Sequence, residues 1–221
     1  MTKKHIAVAM GGYSSEFEIS LLSGNVVCES LDALLYTTYP IHILKSGWHY
    51  VADNGTKYPV NKADFSFNTA NGIIKPDAVF NTVHGTPGED GLLQAYWETL
   101  KIPQTSPNFY ASALSFNKRD CISVLKNFGI KCANSYSVNK GDEISSEAIV
   151  KKVGLPCFVK PNRAGSSFGI SKVHHTNKLL SAIEKAFEED KEIIIETALV
   201  GTEISVGVYK QKGNLIVLSP T

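Results

Sequence analysis

The sequence predicts an α/β protein in which a unit with a parallel sheet is followed by an α+β unit. Over the first hundred residues, short apolar runs alternate with segments whose apolar residues recur at helical spacing, which is typical of β-α-β folds. After residue 106 this alternation gives way to short strands joined by turns. The composition, 43% hydrophobic and 19% charged over 221 residues, is that of a globular protein with a sizeable core.

The first unit opens with an apolar run at residues 5–10, which predicts a strand that ends at Gly11 and Gly12. A helix follows, because apolar side chains recur at helical spacing at Ile19, Leu22, Val26, Val27, Leu31, Leu34 and Leu35. The further predicted elements are a strand at 38–44, a meander at 46–60, a strand at 77–85 and a helix at 92–100. In such a sheet, ligands bind at the carboxyl ends of the strands.

The second unit begins near Ser106, where a helical pattern runs on to about residue 125. The later predicted elements are strands at 136–138, 155–160, 169–175, 192–196, 203–209 and 214–219, and a helix through Leu179, Leu180, Ile183, Ala186 and Phe187. Hairpin-like spacing between the strands indicates antiparallel pairing, unlike the first unit.

Charge and hydropathy exclude several classes of protein. With 22 basic and 21 acidic residues the net charge is +1, which offers no general attraction to nucleic acid or to an anionic membrane. No stretch approaches the roughly 20 apolar residues of a membrane span, and the apolar run near the start is shorter than that of a secretory signal. We therefore expect a cytoplasmic protein. The four scattered cysteines are expected to be small buried hydrophobes.

The segment GGYSSEFEIS, residues 11–20, joins the first strand to the first helix. It lacks the GxGxxG pattern of dinucleotide-binding proteins. Ser14 or Ser15 is expected to cap the helix, and Glu18 suits the positive end of its dipole. Glu16 has two interpretations of equal weight, a second dipole partner or a carboxylate that holds the ammonium group of a ligand.

A second candidate lies in VHGTPGEDG, residues 83–91. His84 is expected at the carboxyl end of a parallel strand, where a histidine can bind a ligand or titrate near neutral pH. The alternative is a structural histidine that bonds a turn carbonyl. Glu89 and Asp90 are interpreted as partners of the following helix dipole.

The stretch FVKPNRAGSSFGISKV, residues 158–173, places Lys160 at a strand end before a loop of small residues. The spacing of its glycines excludes a Walker-type phosphate loop. Lys160 with the loop amides is nevertheless a second known arrangement for holding phosphates. Alone, it is more often the solvated end of a hairpin.

The last candidate is EIIIETALVGTE, residues 192–203. Backbone groups along 197–199 would suit an adenine edge, and Glu203 would suit ribose hydroxyls. Two glutamates facing water at strand ends are the alternative.

Five segments in this order resemble the D-alanine–D-alanine ligases of the ATP-grasp superfamily. They are residues 11–24, 84–94, 112–120, 158–173 and 192–208. The resemblance implies an N-terminal Rossmann-like parallel α/β domain at 1–106, a central α+β ATP-grasp domain at 107–195, and the incomplete start of a third domain at 196–221.

The resemblance also implies an activity. Family members join two D-alanines for peptidoglycan precursor synthesis: the first carboxylate attacks the γ-phosphate of ATP, and the amine of the second D-alanine then displaces phosphate from the acyl phosphate. The expected cofactors are ATP and two Mg²⁺ or Mn²⁺ ions. The expected state is a homodimer formed through the first domain, with small-molecule substrates and neither nucleic acid nor membrane as partners.

Site residues carry over from the family by motif. Glu16 resembles the anchor for the first D-alanine's ammonium group, Ser166 the serine linked to that glutamate through a tyrosine, and His84 the histidine beside this substrate. The residues that resemble ATP contacts are Lys118 and Lys160 at the phosphates, Gly165 and Ser167 in the loop, and Glu196, Thr197, Leu199 and Glu203 at adenine and ribose. No metal ligand is expected within this chain, because the resemblance places the family's ligands beyond Thr221.

One departure from the family is serious, because family members continue for about another hundred residues, the size of a complete domain. That segment carries the metal ligands and the contacts to the second substrate, so we expect this chain alone to bind ATP weakly and not to turn over. A lesser departure is the ETAL sequence from Glu196 to Leu199, where a Glu-Lys pair is frequent.

Three alternatives remain at this point. A ligase that makes a D-alanine–D-lactate depsipeptide, or joins another carboxylate and amine, would carry the same motifs. A non-catalytic nucleotide-binding module would keep the lysines. An oxidoreductase is the most distant, since the glycine fingerprint is absent.

Overall fold

The computed structural model describes residues 2–221 and contains a mixed seven-stranded sheet in its first unit. Its elements are β1 (Lys4–Gly11), α1 (Phe17–Ser30), β2 (Tyr36–Leu44), β3 (Gly47–Val51), β4 (Lys57–Asn61), β5 (Ser66–Thr69), β6 (Gly72–Ile74), β7 (Ala78–Asn81) and α2 (Leu92–Thr99). The strand order is β6-β5-β4-β3-β2-β1-β7. β1 pairs in parallel with β2 and β7, so the carboxyl ends of these three strands meet at one edge.

The strands β3 to β6 extend the sheet by antiparallel pairing. The meander is confirmed, with Gly55 at φ +82° in its turn. β5 and β6 were not predicted, because each has only three or four residues with little alternation. Apolar residues of β1, β2, β7 and α2 form the first core, with Trp97 fully buried.

The prediction for α1 was wrong in two respects. The helix ends at Ser30, so Leu31, Leu34 and Leu35 lie outside it. Its buried residues are Ser20 and Gly24, whereas Leu22 and Val26 are 68% and 60% exposed. The apolar stripe of α1 therefore faces away from the sheet.

The second unit is a four-stranded antiparallel sheet with helices beside it. Its elements are α3 (Phe109–Phe116), α4 (Lys118–Asn127), β8 (Ser135–Asn139), α5 (Ser146–Val153), β9 (Cys157–Pro161), β10 (Ser171–Val173), α6 (Leu179–Glu189) and β11 (Glu192–Thr197). The order β10-β9-β11-β8 is antiparallel throughout. A separate core lies between this sheet and α5 and α6. This mixed α/β architecture confirms the predicted fold class.

The last 24 residues contain only β12 (Val208–Gln211) and β13 (Asn214–Val217), which pair with each other. Ser205 and Thr221 exchange two backbone hydrogen bonds of 2.9 Å beside this hairpin. The strand predicted at 203–209 was too long, because residues 203–207 form no strand and are exposed. The domain bounds at 106 and 196 stay predictions; residue 196 falls inside β11.

Two further observations concern the whole described chain. All four cysteines are free, and only Cys157 is fully buried, so the expectation that all are buried was wrong for the other three. No helix within residues 2–221 has both the length and the apolar character needed to cross a membrane.

Candidate active site

Glu16 lies at the carboxyl end of β1, in the turn that leads into α1. The turn is tight: Gly12 has φ +110°, and a Cβ there would approach the His84 carbonyl oxygen to 3.0 Å. The Glu16 side chain is buried, with the residue only 3% exposed. No ion pair forms between Glu16 and any side chain of residues 2–221. A buried carboxylate without a cation is costly unless a ligand supplies one.

The two serines before Glu16 do not cap α1, so that prediction was wrong. Ser14 Oγ instead donates to the His84 carbonyl (3.0 Å) and accepts from the Glu16 amide (3.2 Å). Its hydroxyl is thus used to join the turn after β1 to the turn after β7. Ser15 Oγ donates to Glu189 Oε2 (2.9 Å), at the end of α6 in the second unit.

Ser166 brings the small-residue loop of the second unit onto Glu16. Its Oγ donates directly to Glu16 Oε1, with no tyrosine between them. Ser166 and Ser167 have φ +45° and +62°, values that are unfavourable for residues other than glycine. At Gly165 a Cβ would lie 3.0 Å from the Glu16 carboxylate, so only glycine fits without displacement. The loop is therefore shaped to approach this carboxylate.

His84 follows β7, at the sheet edge where it was expected. Its Nε2 lies 3.4 Å from Ser23 Oγ, a long hydrogen bond. His84 lines a cavity of about 600 Å³, whereas Glu16 lines a neighbouring one of about 270 Å³. Ser14 joins the backbones of the two residues.

Glu89 has a role that dipole reasoning missed. Its carboxylate accepts a hydrogen bond from the Gly85 amide (2.7 Å) and closes the turn that follows His84. The sequence indicates this only through a glycine and a glutamate four residues apart, at 85 and 89. In the structure Gly85 has φ +66°.

Lys118 is the first residue of α4, and its side chain points back to the loop. Nζ donates to the carbonyls of Ala164 (2.7 Å) and Asn162 (3.4 Å). Burial lowers the pKa of Lys118, and the nearby Lys160 ammonium lowers it further. The carboxylates of Glu196, Asp190 and Glu16 act in the opposite direction but do not cancel the shift. A lysine with a lowered pKa beside a second lysine is typical of a functional site.

Lys160 on β9 pairs with Glu196 on β11. Lys160 lies opposite Ile194 and Glu196 opposite Phe158, so the two charged side chains share one face on a diagonal. The Nζ to Oε2 distance is 2.8 Å, and Glu196 is largely buried. The structure therefore brings together Lys118, Lys160 and Glu196, which the sequence had placed in one nucleotide site.

Thr197, Leu199 and Glu203, which were expected at adenine and ribose, differ in their surroundings. The Thr197 hydroxyl donates to the Val153 carbonyl (2.6 Å), so it points toward α5, opposite to Glu196. Leu199 is 73% exposed, and Glu203 is exposed in a segment without regular structure. The Glu203 carboxylate accepts no hydrogen bond from Lys118 or Lys160, which donate to Asn162, Ala164 and Glu196 instead.

Arg163, at the start of the loop, is held by acidic residues. Nε and one terminal nitrogen each bond Asp190 at 3.1 Å, and the Arg163 amide donates to Asp190 as well (2.8 Å). This contact with Asp190 raises the pKa of Arg163. The loop is thus anchored at residue 163, and the segment after it is attached by single hydrogen bonds, from Lys118 to the Ala164 carbonyl and from Ser166 to Glu16.

A metal site was not expected within this chain, because the family's ligands were placed beyond Thr221. Among residues 2–221 no group of three or more histidine, cysteine, aspartate or glutamate side chains stands where it could hold a metal ion. The position of the metal ligands beyond Thr221 stays a prediction.

Two family models match the chain. Residues 5–107 match the one described as D-ala D-ala ligase N-terminus, and residues 124–220 the one described as D-ala D-ala ligase C-terminus. A protein of Christiangramia forsetii named D-alanine–D-alanine ligase is 58% identical over 219 residues, which are 99% of this chain and 67% of the relative.

Solved structures have the same fold. The chain matches D-alanyl-alanine synthetase A of Vibrio cholerae with a TM-score of 0.87 and 30% identity, over 100% of this chain and 67% of the other. A D-alanine–D-alanine ligase of Bacillus anthracis, solved in complex with ATP, matches with a TM-score of 0.70 and 29% identity, over 92% and 62%. The chain spans about two thirds of the length of these proteins.

Proposed function

The chain belongs to the D-alanine–D-alanine ligase family, and on that premise we propose that its protein uses ATP to join two D-alanines. The reaction proceeds through an acyl phosphate of the first D-alanine and supplies peptidoglycan precursor synthesis. Chemistry of this kind requires mainly positioning of the reacting groups and neutralisation of charge. Among the described residues, Glu16 and Ser166 are assigned to positioning the first D-alanine, and Lys118 and Lys160 to neutralising charge on ATP.

The observation that carries this proposal is the buried Glu16 carboxylate. It accepts a hydrogen bond from Ser166 and has no cationic partner among the described residues. The ammonium group of the first D-alanine supplies that cation, and Ser166 fixes the carboxylate that receives it. His84, in the turn after β7, is assigned to the same substrate, because Ser14 joins its backbone to the turn that carries Glu16.

Lys118 and Lys160 hold the phosphates of ATP in this proposal. A bound polyanion compensates the cost of burying the charged Lys118 and the repulsion between the two ammonium groups. The amides of the loop, at Gly165 and Ser167, add hydrogen-bond donors. The lysines thereby neutralise charge on the phosphates while the first carboxylate attacks.

Adenine and ribose are assigned to the end of β11 and the segment after it. Glu196 accepts from the exocyclic amine, the backbone from Thr197 to Leu199 pairs with the adenine edge, and Glu203 binds the ribose hydroxyls. The orientation of the Thr197 hydroxyl toward Val153 supports a backbone contact there rather than a side-chain contact.

Mg²⁺, two ions by family resemblance, supplies further charge neutralisation on the phosphates when bound. We also assign the protein to the cytoplasm, with neither nucleic acid nor membrane as a partner, in line with its net charge of +1. The exposed apolar face of α1, with Leu22 and Val26, supports a homodimer formed through the first unit.

The test is phosphate release by the protein encoded by the whole reading frame that contains these 221 residues. With ATP and Mg²⁺ we expect release that depends on D-alanine and is absent with L-alanine, and a dipeptide product by mass spectrometry. A depsipeptide formed with D-lactate would instead support the alternative second substrate. ATP use without any dependence on D-alanine would contradict the proposed function.

A further inference from the structure

Asn162 is a fully buried polar residue whose hydrogen bonds connect the ends of neighbouring helices and strands. It lies directly after β9 and is 0% exposed. Its Oδ1 accepts from the Arg119 amide and its Nδ2 donates to Glu192 Oε2, both at 2.9 Å. Its backbone amide donates to the Glu192 carbonyl (2.9 Å), and its carbonyl accepts from the Lys118 amide (3.3 Å). Asn162 thus links β9, β11 and the start of α4.

This link fixes the backbone of the first turn of α4, whereas the other attachments of that turn are made by side chains: the Arg119 guanidinium contacts Asn139 (2.8 Å) and Glu192 (3.6 Å), and Lys118 Nζ donates to the Ala164 carbonyl (2.7 Å). The first amides of a helix have no partner within it. In α4 those of Lys118 and Arg119 are satisfied by Asn162, and that of Asp120 by Asn117 Oδ1 at 3.1 Å. No residue of α4 is fully buried. Apolar burial therefore contributes little to fixing its first turn on the sheet.

The position of this turn determines where Lys118 stands relative to Lys160. Lys118 is the first residue of α4, and Lys160 lies on β9 two residues before Asn162. The two ammonium groups repel each other, so their separation has to be imposed by the surrounding structure. Through Asn162, the helix that carries one lysine is fastened to the strand that carries the other.

We propose that Asn162 is a positioning residue for ATP, which sets the separation of the Lys118 and Lys160 ammonium groups by holding the first turn of α4 against the end of β9. This inference rests on the proposed function, in which these lysines bind the phosphates. A purely structural role for Asn162 makes a different prediction, since its loss would then lower stability without changing the affinity of the folded protein for ATP.

Asn162→Leu keeps the approximate volume and removes both side-chain bonds. In the protein from the whole reading frame, we expect the KM for ATP to rise roughly tenfold, since buried partners lose their hydrogen bonds. The KM for D-alanine should stay within about twofold, because Glu16 and Ser166 are untouched. Circular dichroism at the assay temperature establishes that the variant is folded.

Exchanging the donor and the acceptor of the hydrogen bond between residues 162 and 192 should restore the affinity for ATP. Asn162→Asp alone sets a carboxylate against Glu192 and should also raise the KM for ATP. In the double variant Asn162→Asp/Glu192→Gln, the introduced amide can donate to one oxygen of the introduced carboxylate, while the other oxygen still accepts from the Arg119 amide. We expect its KM for ATP to return to within about threefold of wild type. Glu192→Gln alone is measured as the reference.

Asn139→Ala is the matched control. Asn139 Oδ1 accepts from the Arg119 guanidinium (2.8 Å), so this variant removes a side-chain bond of Arg119 and leaves the backbone link to Asn162 intact. Its KM for ATP should not change. A rise equal to that of Asn162→Leu would mean that Arg119 packing, and not the Asn162 link, controls the site.

Amide hydrogen exchange gives a readout that does not need ATP. The amides of Lys118 and Arg119 should exchange faster in Asn162→Leu than in wild type, while those of β11 do not change. Unchanged exchange, or a lower Tm with an unaltered KM for ATP, would overturn the inference. A wild-type protein that does not use ATP contradicts the proposed function instead, and the exchange result still decides whether Asn162 holds α4.

Discussion

At the scale of single residues, the candidate site retains charged groups whose burial costs stability. The Glu16 carboxylate is buried without a cation among the described residues, and Lys118 is partly buried beside the Lys160 ammonium. Burial lowers the pKa of Lys118, and the neighbouring Lys160 ammonium lowers it further. Such groups are expected where a ligand of opposite charge compensates them, and a zwitterionic amino acid with a triphosphate provides both charges.

We expect Lys118→Met to raise the free energy of unfolding at pH 7. At that pH Lys118 is charged in both states, and only the folded state carries the cost that lowers its pKa. As pH rises through the lowered pKa toward the ordinary value of 10.5, this cost disappears. The gain in stability should therefore be smaller at pH 10 than at pH 7, as measured by urea unfolding.

Lys126→Met is the control for that experiment, because Lys126 is exposed in the last turn of the same helix. Its effect on the free energy of unfolding should be small and independent of pH over this range. A Lys118→Met gain that grows between pH 7 and pH 10 would contradict the assigned cause of the shift.

Sequence reasoning reached most of these residues but missed Asn162. Glu16, Lys118, Lys160 and Ser166 stand within recognisable motifs. The partners of Asn162 are distant in sequence, with Arg119 43 and Glu192 30 residues away. No local pattern identifies a residue whose importance comes from contacts between elements.

At the scale of elements, α1 lies unusually close to the sheet. A Cβ at Gly24 would stand 2.7 Å from Met10 Cβ, so a larger residue does not fit. Ser20 Oγ accepts from the Gly11 amide (2.8 Å) and donates to the Thr82 carbonyl (2.7 Å). These contacts fix the turn that carries Glu16, because Gly11 and Ser20 lie at its two ends.

Gly24→Ala should destabilise the protein by about 1–3 kcal/mol, because the added methyl group overpacks the contact with Met10. Chemical denaturation measures the change. The control is Asn25→Ala, at an exposed position of the same helix, which gains helix propensity and should be neutral or slightly stabilising. A Gly24→Ala variant as stable as Asn25→Ala would show that α1 does not pack this closely.

The periodicity of apolar residues predicted that α1 exists but indicated the wrong buried face. Helical spacing shows that apolar side chains share one face of a helix, and that face can pack against the protein core or against another protein. Here the close approach at Gly24 selects the face with small residues. The apolar face, which includes Leu22 and Val26, remains exposed.

At the scale of the whole molecule, two separate cores are linked through the candidate site. Ser166 donates to Glu16, and Ser15 donates to Glu189, so the turn after β1 contacts both the loop and the end of α6. Each core belongs to one sheet. The residues proposed to bind substrate and nucleotide come from both units, and these contacts join the two units at that place.

The proposed homodimer makes a further prediction at this scale. Leu22→Glu places a charge in the exposed apolar face of α1, and it should convert a dimer to a monomer in light scattering. Ile73→Glu, at a position 74% exposed on the edge strand β6, is the control and should remain dimeric. A Leu22→Glu protein that is still a dimer would exclude this face as the interface.

Prediction at this scale was good for the two sheets and poor for the end of the chain. Alternating patterns in the first hundred residues and hairpin spacing afterwards predicted the existence of both sheets, although β5 and β6 of the first sheet were missed. Residues 203–207 have strand propensity yet form no strand, because the backbone bonds of Ser205 with Thr221 and of Gly207 with Leu218 do not extend into a continuous ladder. Propensity alone does not supply the neighbouring strand that a sheet requires.

The most direct test of the central claim, that Glu16 holds the first D-alanine beside a nucleotide held by Lys118 and Lys160, is the kinetics of Glu16→Gln. Loss of the buried charge should raise the KM for the first D-alanine at least about tenfold. The KM for ATP should stay within about twofold, and exposed Glu18→Gln should alter neither value. An unchanged KM for D-alanine in folded Glu16→Gln would contradict the claim.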